Sequence, residues 1–185
     1  MLFQKSETVE LKEAAADDIK KEIIAFANCD GGRLYIGIRD DGTVAGLDNP
    51  DGVSLQISNM VRDAIKPDVT MFLHYKTIKE DGKEIVEVDV QRGTDRPYYL
   101  AKKGMRPEGV YVRQGYSSVP TTDTAIRHMI FCFFLLLIFR VSGYQYLKQR
   151  RIFLDCQALQ IYIIPIYQSK PIRGRQTGCC RKIWA

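Results

Sequence analysis

Residues 25–46 read AFANCDGGRLYIGIRDDGTVAG, and the way this stretch is parsed decides the fold. Its first residues complete an apolar helical stripe, its paired glycines stop that helix, and its remainder alternates as a strand. Just upstream, Ile19, Ile23 and Phe26 recur at i, i+4 and i+7, and Asp17 and Asp18 put negative charge at the amino end, where a helix dipole favours it. The spacing predicts a helix over 17–28. Asp30-Gly31-Gly32 then reads as a carboxyl cap, not as a phosphate-cradling loop, because phosphate loops place glycine before a helix amino end. In the strand that follows, Leu34, Ile36 and Ile38 fall on one face, with Arg33, Tyr35 and Arg39 on the other. Asp40-Asp41-Gly42 is expected to turn the chain into a hairpin partner, TVAGL.

Working outward, TVELK at 8–12 alternates as a short strand ahead of the first helix. A second helix is expected over 52–65, where Val53, Ile57, Val61 and Ile65 are spaced by four and Pro67 provides the stop. The runs TMFLHYKTI and EIVEVDV flank Glu80-Asp81-Gly82-Lys83, which predicts a second hairpin with Val86, Val88 and Val90 toward the core. Short strands follow around PYYL and GVYVR, and Pro120-Thr121-Thr122-Asp123 resembles a helix start. The expected class is α/β in the α+β sense: a compact, mixed, mostly antiparallel sheet with two main helices.

Charge divides the chain. Residues 1–129 hold 18 Lys and Arg against 21 Asp and Glu, a net of −3, whereas 130–185 hold 9 basic residues and only Asp155, a net of +8. The expected domain therefore spans 1–129, and 130–185 is a basic, apolar-rich tail without a clear fold. That tail loses acids, periodicity and turn signals together, so it reads as a frameshifted or artefactual extension, the alternative being a genuine membrane-surface or partner-binding tail. Its run FCFFLLLIF is about 15 Å long as a helix, too short for the ~30 Å apolar core of a bilayer, so no transmembrane segment is expected. Five cysteines without a CxxC pair and two histidines suggest neither a disulfide framework nor a zinc site, and no export signal is visible, so a cytoplasmic location is expected.

The ordered motifs ETVELK, AFANCDGGRLYIGIRDDGTVAG, DRPYYL and VYVRQGYSS resemble the Schlafen AlbA-like domain over roughly 6–128, the AFAN-x-x-GG-x-x-x-IG block being the most specific part. The resemblance implies a compact α/β domain with a nucleic-acid-binding role, found at the amino end of larger bacterial proteins described as transcriptional regulators or ATP-binding helicase-related proteins. DNA is the expected partner, and a second copy of the chain is kept as a further one. A net charge of −3 is not itself a nucleic-acid signature, so binding needs a local patch.

Candidates for that patch are Lys12, Arg33, Tyr35, Arg39, Lys102, Lys103, Arg106 and Arg113, with Ser117 and Ser118. A tyrosine between two guanidinium groups on a basic sheet face could stack a base, and the 113–118 loop combines a charged donor, a glycine and two hydroxyls suited to phosphate. On this reading Arg113→Ala weakens binding and leaves thermal stability unchanged. The alternatives are an ATP- or nucleotide-binding regulatory domain and a metal-dependent endoribonuclease using Mg. For the nuclease the resemblance points to Glu10 and Asp40 as catalytic carboxylates, but the third acidic position holds Lys5, and Glu7 and Glu10 fall on opposite strand faces. A non-enzymatic module without a resident cofactor or metal is therefore the expectation. Cys29 reads as a filler near a helix end, and neither His74 nor His128 reads as catalytic.

Overall fold

The computed structural model describes residues 3–141. Strand β1 (Val9–Lys12) leads into helix α1 (Ile19–Asn28), and β2 (Gly32–Ile36) returns parallel to β1, with Val9 opposite Arg33 and Lys12 opposite Ile36. The apolar stripe explains the docking of α1: Ile19, Ile23 and Phe26 are fully buried. At roughly 1.5–3 kcal/mol per fully buried large apolar side chain, this stripe is a main source of the unit's stability. The helix stops where Gly31 takes a φ of 86° and its N–H donates to the Phe26 carbonyl at 3.0 Å. Both observations agree with the carboxyl-cap reading.

Asn28, the last residue of AFAN, is buried and fully engaged. Its Nδ2 donates to the carbonyls of Tyr98 and Tyr111 at 2.9 Å each, and its Oδ1 accepts the Tyr98 N–H at 2.8 Å. The motif thus ties the end of α1 to two segments far along the chain.

Helix α2 (Pro50–Ala64) begins with Asn49 capping the Gly52 N–H and Pro50 in the first turn, two residues ahead of the expected start. Ile57 and Val61 are buried, and Ile65 is buried as well but opens a two-residue strand, β3 (Ile65–Lys66). A 3-10 turn (Thr70–Phe72) leads into β4 (Leu73–Glu80) and β5 (Lys83–Val90), joined by Asp81 and Gly82 at φ values of 51° and 77°. Positive φ at both central residues is the hairpin geometry whose twist matches the strands. The sheet order is β1-β2-β5-β4, parallel only between β1 and β2. Beyond it, β6 (Tyr99–Leu100) pairs with β3, and β7 (Tyr111–Gln114) pairs with β8 (Ser117–Pro120), both antiparallel.

The four-stranded sheet has an apolar layer on each face. One holds Leu34, Ile36, Val86, Val88 and Val90 against α1 and α2. The other holds Leu11, Tyr35, Ile38, Val44 and Ile85, with Phe3 and Ile78 packed on them. Two expectations change here. Ile38 does not share a face with Leu34 and Ile36, because Gly37 at φ 96° ends the strand pleat and sends Ile38 to the side of Tyr35. The turn at Asp40-Asp41-Gly42 is real, but its arms meet in a single bridge, Ile38 with Val44, and not in a strand pair.

Helix α3 (Asp123–Val141) begins where expected, with Thr122 Oγ1 accepting the Ala125 N–H at 3.2 Å. It runs through 129 and 130 without a break, so secondary structure does not change at that position. The rest of the tail, from 142 onward, lies outside the described residues. Among the described residues no helix is long and apolar enough to cross a membrane.

Candidate nucleic-acid interface

Arg113 was expected in a phosphate-binding loop, but the structure buries it. Along β7, Tyr111 and Arg113 point inward and Val112 and Gln114 outward, and only 2% of the Arg113 side chain is exposed. Its Nη1 donates to Glu10 Oε2 at 3.0 Å, to Glu22 Oε2 at 2.9 Å and to Ser118 Oγ at 3.2 Å. Nη2 and Nε donate to the carbonyls of Ser6 and Glu7 at 2.9 and 3.2 Å, and the guanidinium lies 4.8 Å from the Phe26 ring centre. Every face of the fork is spent on the protein. Ser118 is consumed too, donating to Glu22, while Ser117 stays exposed on the other side of β8. The 113–118 segment is a hairpin that locks β7 onto α1 and β1.

The carboxylates named for a nuclease meet an ammonium. Lys5 Nζ lies 2.8 Å from Glu10 Oε1 and 2.9 Å from Asp40 Oδ1, so a tethered cation sits between them. Burial pulls the Lys5 pKa down, but its hydrogen bonds and charge contacts with Glu10 and Asp40 outweigh this and hold it above the ordinary lysine value. Glu7 is exposed and offers only its carbonyl to this cluster. Among the described residues no three His, Cys, Asp or Glu side chains are grouped to hold a metal ion.

The basic sheet face is also corrected. Tyr35 is buried under Phe3, ring centres 5.0 Å apart and edge to face, so it offers no stacking surface. Arg33 Nε lies 3.4 Å from Glu87 Oε1. Arg39 leaves the strand after Gly37 and pairs with Glu13 at 3.1 Å, and Lys12 pairs with Asp18 at 2.5 Å. Period-2 reading found the face but could not see that cross-strand carboxylates and a second apolar layer occupy it. Arg106 is exposed on the loop after β6, where its carbonyl accepts the Gly109 and Val110 N–H groups.

Cations do converge elsewhere. Lys20 and Lys21 on the first turn of α1 and Lys102 and Lys103 after β6 line one groove of about 470 Å³, with Asp17, Asp18, Ala64 and Leu100. The Ala101 N–H donates to the Ala64 carbonyl at 2.8 Å, which fixes the second lysine pair beside the end of α2. Lys103 Nζ leans toward Tyr111 Oη at 3.3 Å, and Lys20 pairs with Asp17 at 2.8 Å. Lys21 and Lys102 make no salt bridge among the described residues. The Lys20 hydrogen bond and charge hold the Asp17 carboxyl below its usual range. Burial pushes the Asp18 carboxyl up, but its hydrogen bond to Lys12 together with the Lys12 and Lys21 charges and a backbone hydrogen bond outweighs this and lowers it as well. Four lysines against two ionised aspartates leave the groove with a local excess of two positive charges. Lys102 and Lys103 were singled out from the sequence, whereas Lys20 and Lys21 were not.

A mixed α+β domain with a buried Arg–Glu cluster and a lysine-lined groove is thus the class that the coordinates define. The Schlafen, AlbA_2 family profile matches residues 5–122, and the chain belongs to that family, a nucleic-acid-related domain type. Among solved structures, the chain is similar to the N-terminal domain of a protein from Nitrosomonas europaea described as related to the ATP-dependent DNA helicase RecG. That match has 28% identity and a TM-score of 0.48 and covers 62% of this chain and 83% of that one. It is also similar to a crystallised protein from Corynebacterium diphtheriae, at 19% identity and a TM-score of 0.48, over 62% of this chain and 22% of that one. No curated protein matches.

Proposed function

We propose that this domain is a non-enzymatic nucleic-acid-binding module whose partner is DNA and whose interface is the groove of Lys20, Lys21, Lys102 and Lys103. The observation that carries the reading is convergence: two lysine pairs about eighty residues apart in sequence share one concave surface, and among the described residues three of the four ammonium groups, those of Lys21, Lys102 and Lys103, make no salt bridge to a carboxylate. Lysine is a mobile point charge, suited to phosphates that need no fixed geometry. Contacts of this kind position a backbone without reading sequence. Arg113 plays no part in the interface because it is buried among carboxylates, and Arg33 and Arg39 lie outside the groove, each paired with a carboxylate.

Fluorescence anisotropy with labelled DNA and RNA across a salt series tests this. Affinity is expected to fall as salt rises, DNA to bind more tightly than RNA, and the Lys102→Glu/Lys103→Glu variant to lose at least tenfold in affinity with an unchanged circular dichroism spectrum. Absence of binding to either nucleic acid defeats the reading. Competition by ATP that displaces the oligonucleotide would instead assign the groove to mononucleotides.

A further inference from the structure

We infer that the lysine groove receives single-stranded DNA, one nucleotide lodging in the concavity, and not the smooth backbone of a duplex. The inference rests on the reading that this groove binds DNA, and it specifies the form of that DNA. Three features of the groove support it.

The first is shape. A space of about 470 Å³ lies within the range of small-ligand pockets, roughly 300–1,000 Å³. It can accept a unit that enters it, such as an unstacked nucleotide. A duplex keeps its bases paired inside the helix and presents an outer surface of phosphates, which would ride over such a concavity without filling it.

The second is lining. The cations stand among half-buried apolar side chains, Ala64 and Leu100, and the methylene stems of the lysines add to that surface. Apolar atoms contribute nothing to a phosphate and gain only if the face of a base or sugar is laid on them. Among the described residues no aromatic ring lines the groove, so base contact is by packing on aliphatic atoms and not by ring stacking. Binding should therefore be tolerant of sequence and weaker than on an aromatic platform, where each stacked base adds about 1–3 kcal/mol.

The third is charge density. Duplex DNA carries one negative charge per roughly 1.7 Å of axis and a single strand half that density. Asp17 and Asp18 stand among the lysines and leave an excess of only two positive charges. Two fixed carboxylates tax a dense array of phosphates more heavily than a sparse one, so the mixed lining discriminates against duplex.

The test compares a labelled twelve-nucleotide single strand with the duplex of the same sequence, using the full 185-residue chain in anisotropy titrations at several salt concentrations. The single strand is expected to bind at least tenfold more tightly. Its log affinity should fall with log salt at a slope of about −2 to −3, as for three or four neutralised phosphates at ~0.7 each. The Lys20→Glu/Lys102→Glu variant should abolish the preference while retaining the wild-type melting temperature within a few degrees. Duplex binding as tight as the single strand would overturn the inference and leave DNA binding standing. Tight single-strand binding that survives the charge reversal would overturn the groove as its seat. No binding to either form would overturn this inference and the proposed function together.

Discussion

Replacing Arg113 with alanine should unfold much of what holds the amino-terminal segment, α1 and the last hairpin together. The side chain links Glu10, itself 4% exposed, to Glu22, 12% exposed, and also satisfies two carbonyls and Ser118. Removing it leaves Glu10 with Lys5 alone and Glu22 with only Ser118 and a Lys12 ammonium 3.9 Å away, both carboxylates in a place largely shut off from water. Breaking a buried pair by deleting one partner costs about 3–5 kcal/mol, most of it the penalty on the charge left behind. At about 2–4 °C per kcal/mol for a chain of this length, the melting temperature should drop by about 6–20 °C. Urea unfolding followed by far-ultraviolet circular dichroism measures the loss. If Arg113→Ala is too unstable to purify, the triple variant Arg113→Met/Glu10→Gln/Glu22→Gln keeps the test open. It removes the uncompensated charges and should recover at least half of the deficit. A melting temperature for Arg113→Ala within about 2 °C of wild type would refute the assignment of this residue as a structural tie.

Other outcomes follow from the same coordinates. Asn28→Ala strands the carbonyls of Tyr98 and Tyr111 and the Tyr98 N–H, so stability in urea should fall by about 3 kcal/mol. Arg33→Ala and Arg39→Ala each remove a half-exposed surface pair, and both should leave stability within about 0.5 kcal/mol and DNA affinity within twofold of wild type. Lys5→Met should lower the urea midpoint at pH 7. Because the folded pKa of Lys5 is raised, its contribution is complete below the unfolded value of about 10.4 and fades as pH climbs through the folded one. The gap between wild type and Lys5→Met should therefore stay constant up to about pH 10 and narrow above it, and a gap unchanged at higher pH would contradict the Lys5 ion pairs.

The elements were legible where a local period or turn forces them. The stripe of Ile19, Ile23 and Phe26, the alternation of Val86, Val88 and Val90, and the Asp81-Gly82 turn each depend on residues within a few positions of one another. What depends on distant residues was not legible. The strand β3 is two residues long, too short for any pattern, and exists because Ile65 and Lys66 meet Leu100 and Tyr99. Strand β8 was read as a turn, since Ser117 and Ser118 resemble loop residues until β7 pairs with them. The role of Arg113 was hidden because its partners Glu10 and Glu22 stand 103 and 91 positions away. One clue was present: if Tyr111 faces the core, the strand period puts Arg113 on the same side, and a buried arginine demands carboxylates. Lys20 and Lys21 were passed over for the converse reason, since only the folded chain shows which surface faces Lys102 and Lys103.

The most direct test of the central claim is the salt dependence of DNA binding in wild type and in Lys102→Ala/Lys103→Ala. If the groove is where phosphates are neutralised, each lysine removed should flatten the slope of log affinity against log salt by about 0.7 to 1, and affinity should fall alike for every DNA sequence. A variant that binds with the wild-type slope and affinity would place the DNA contact on another surface of the domain.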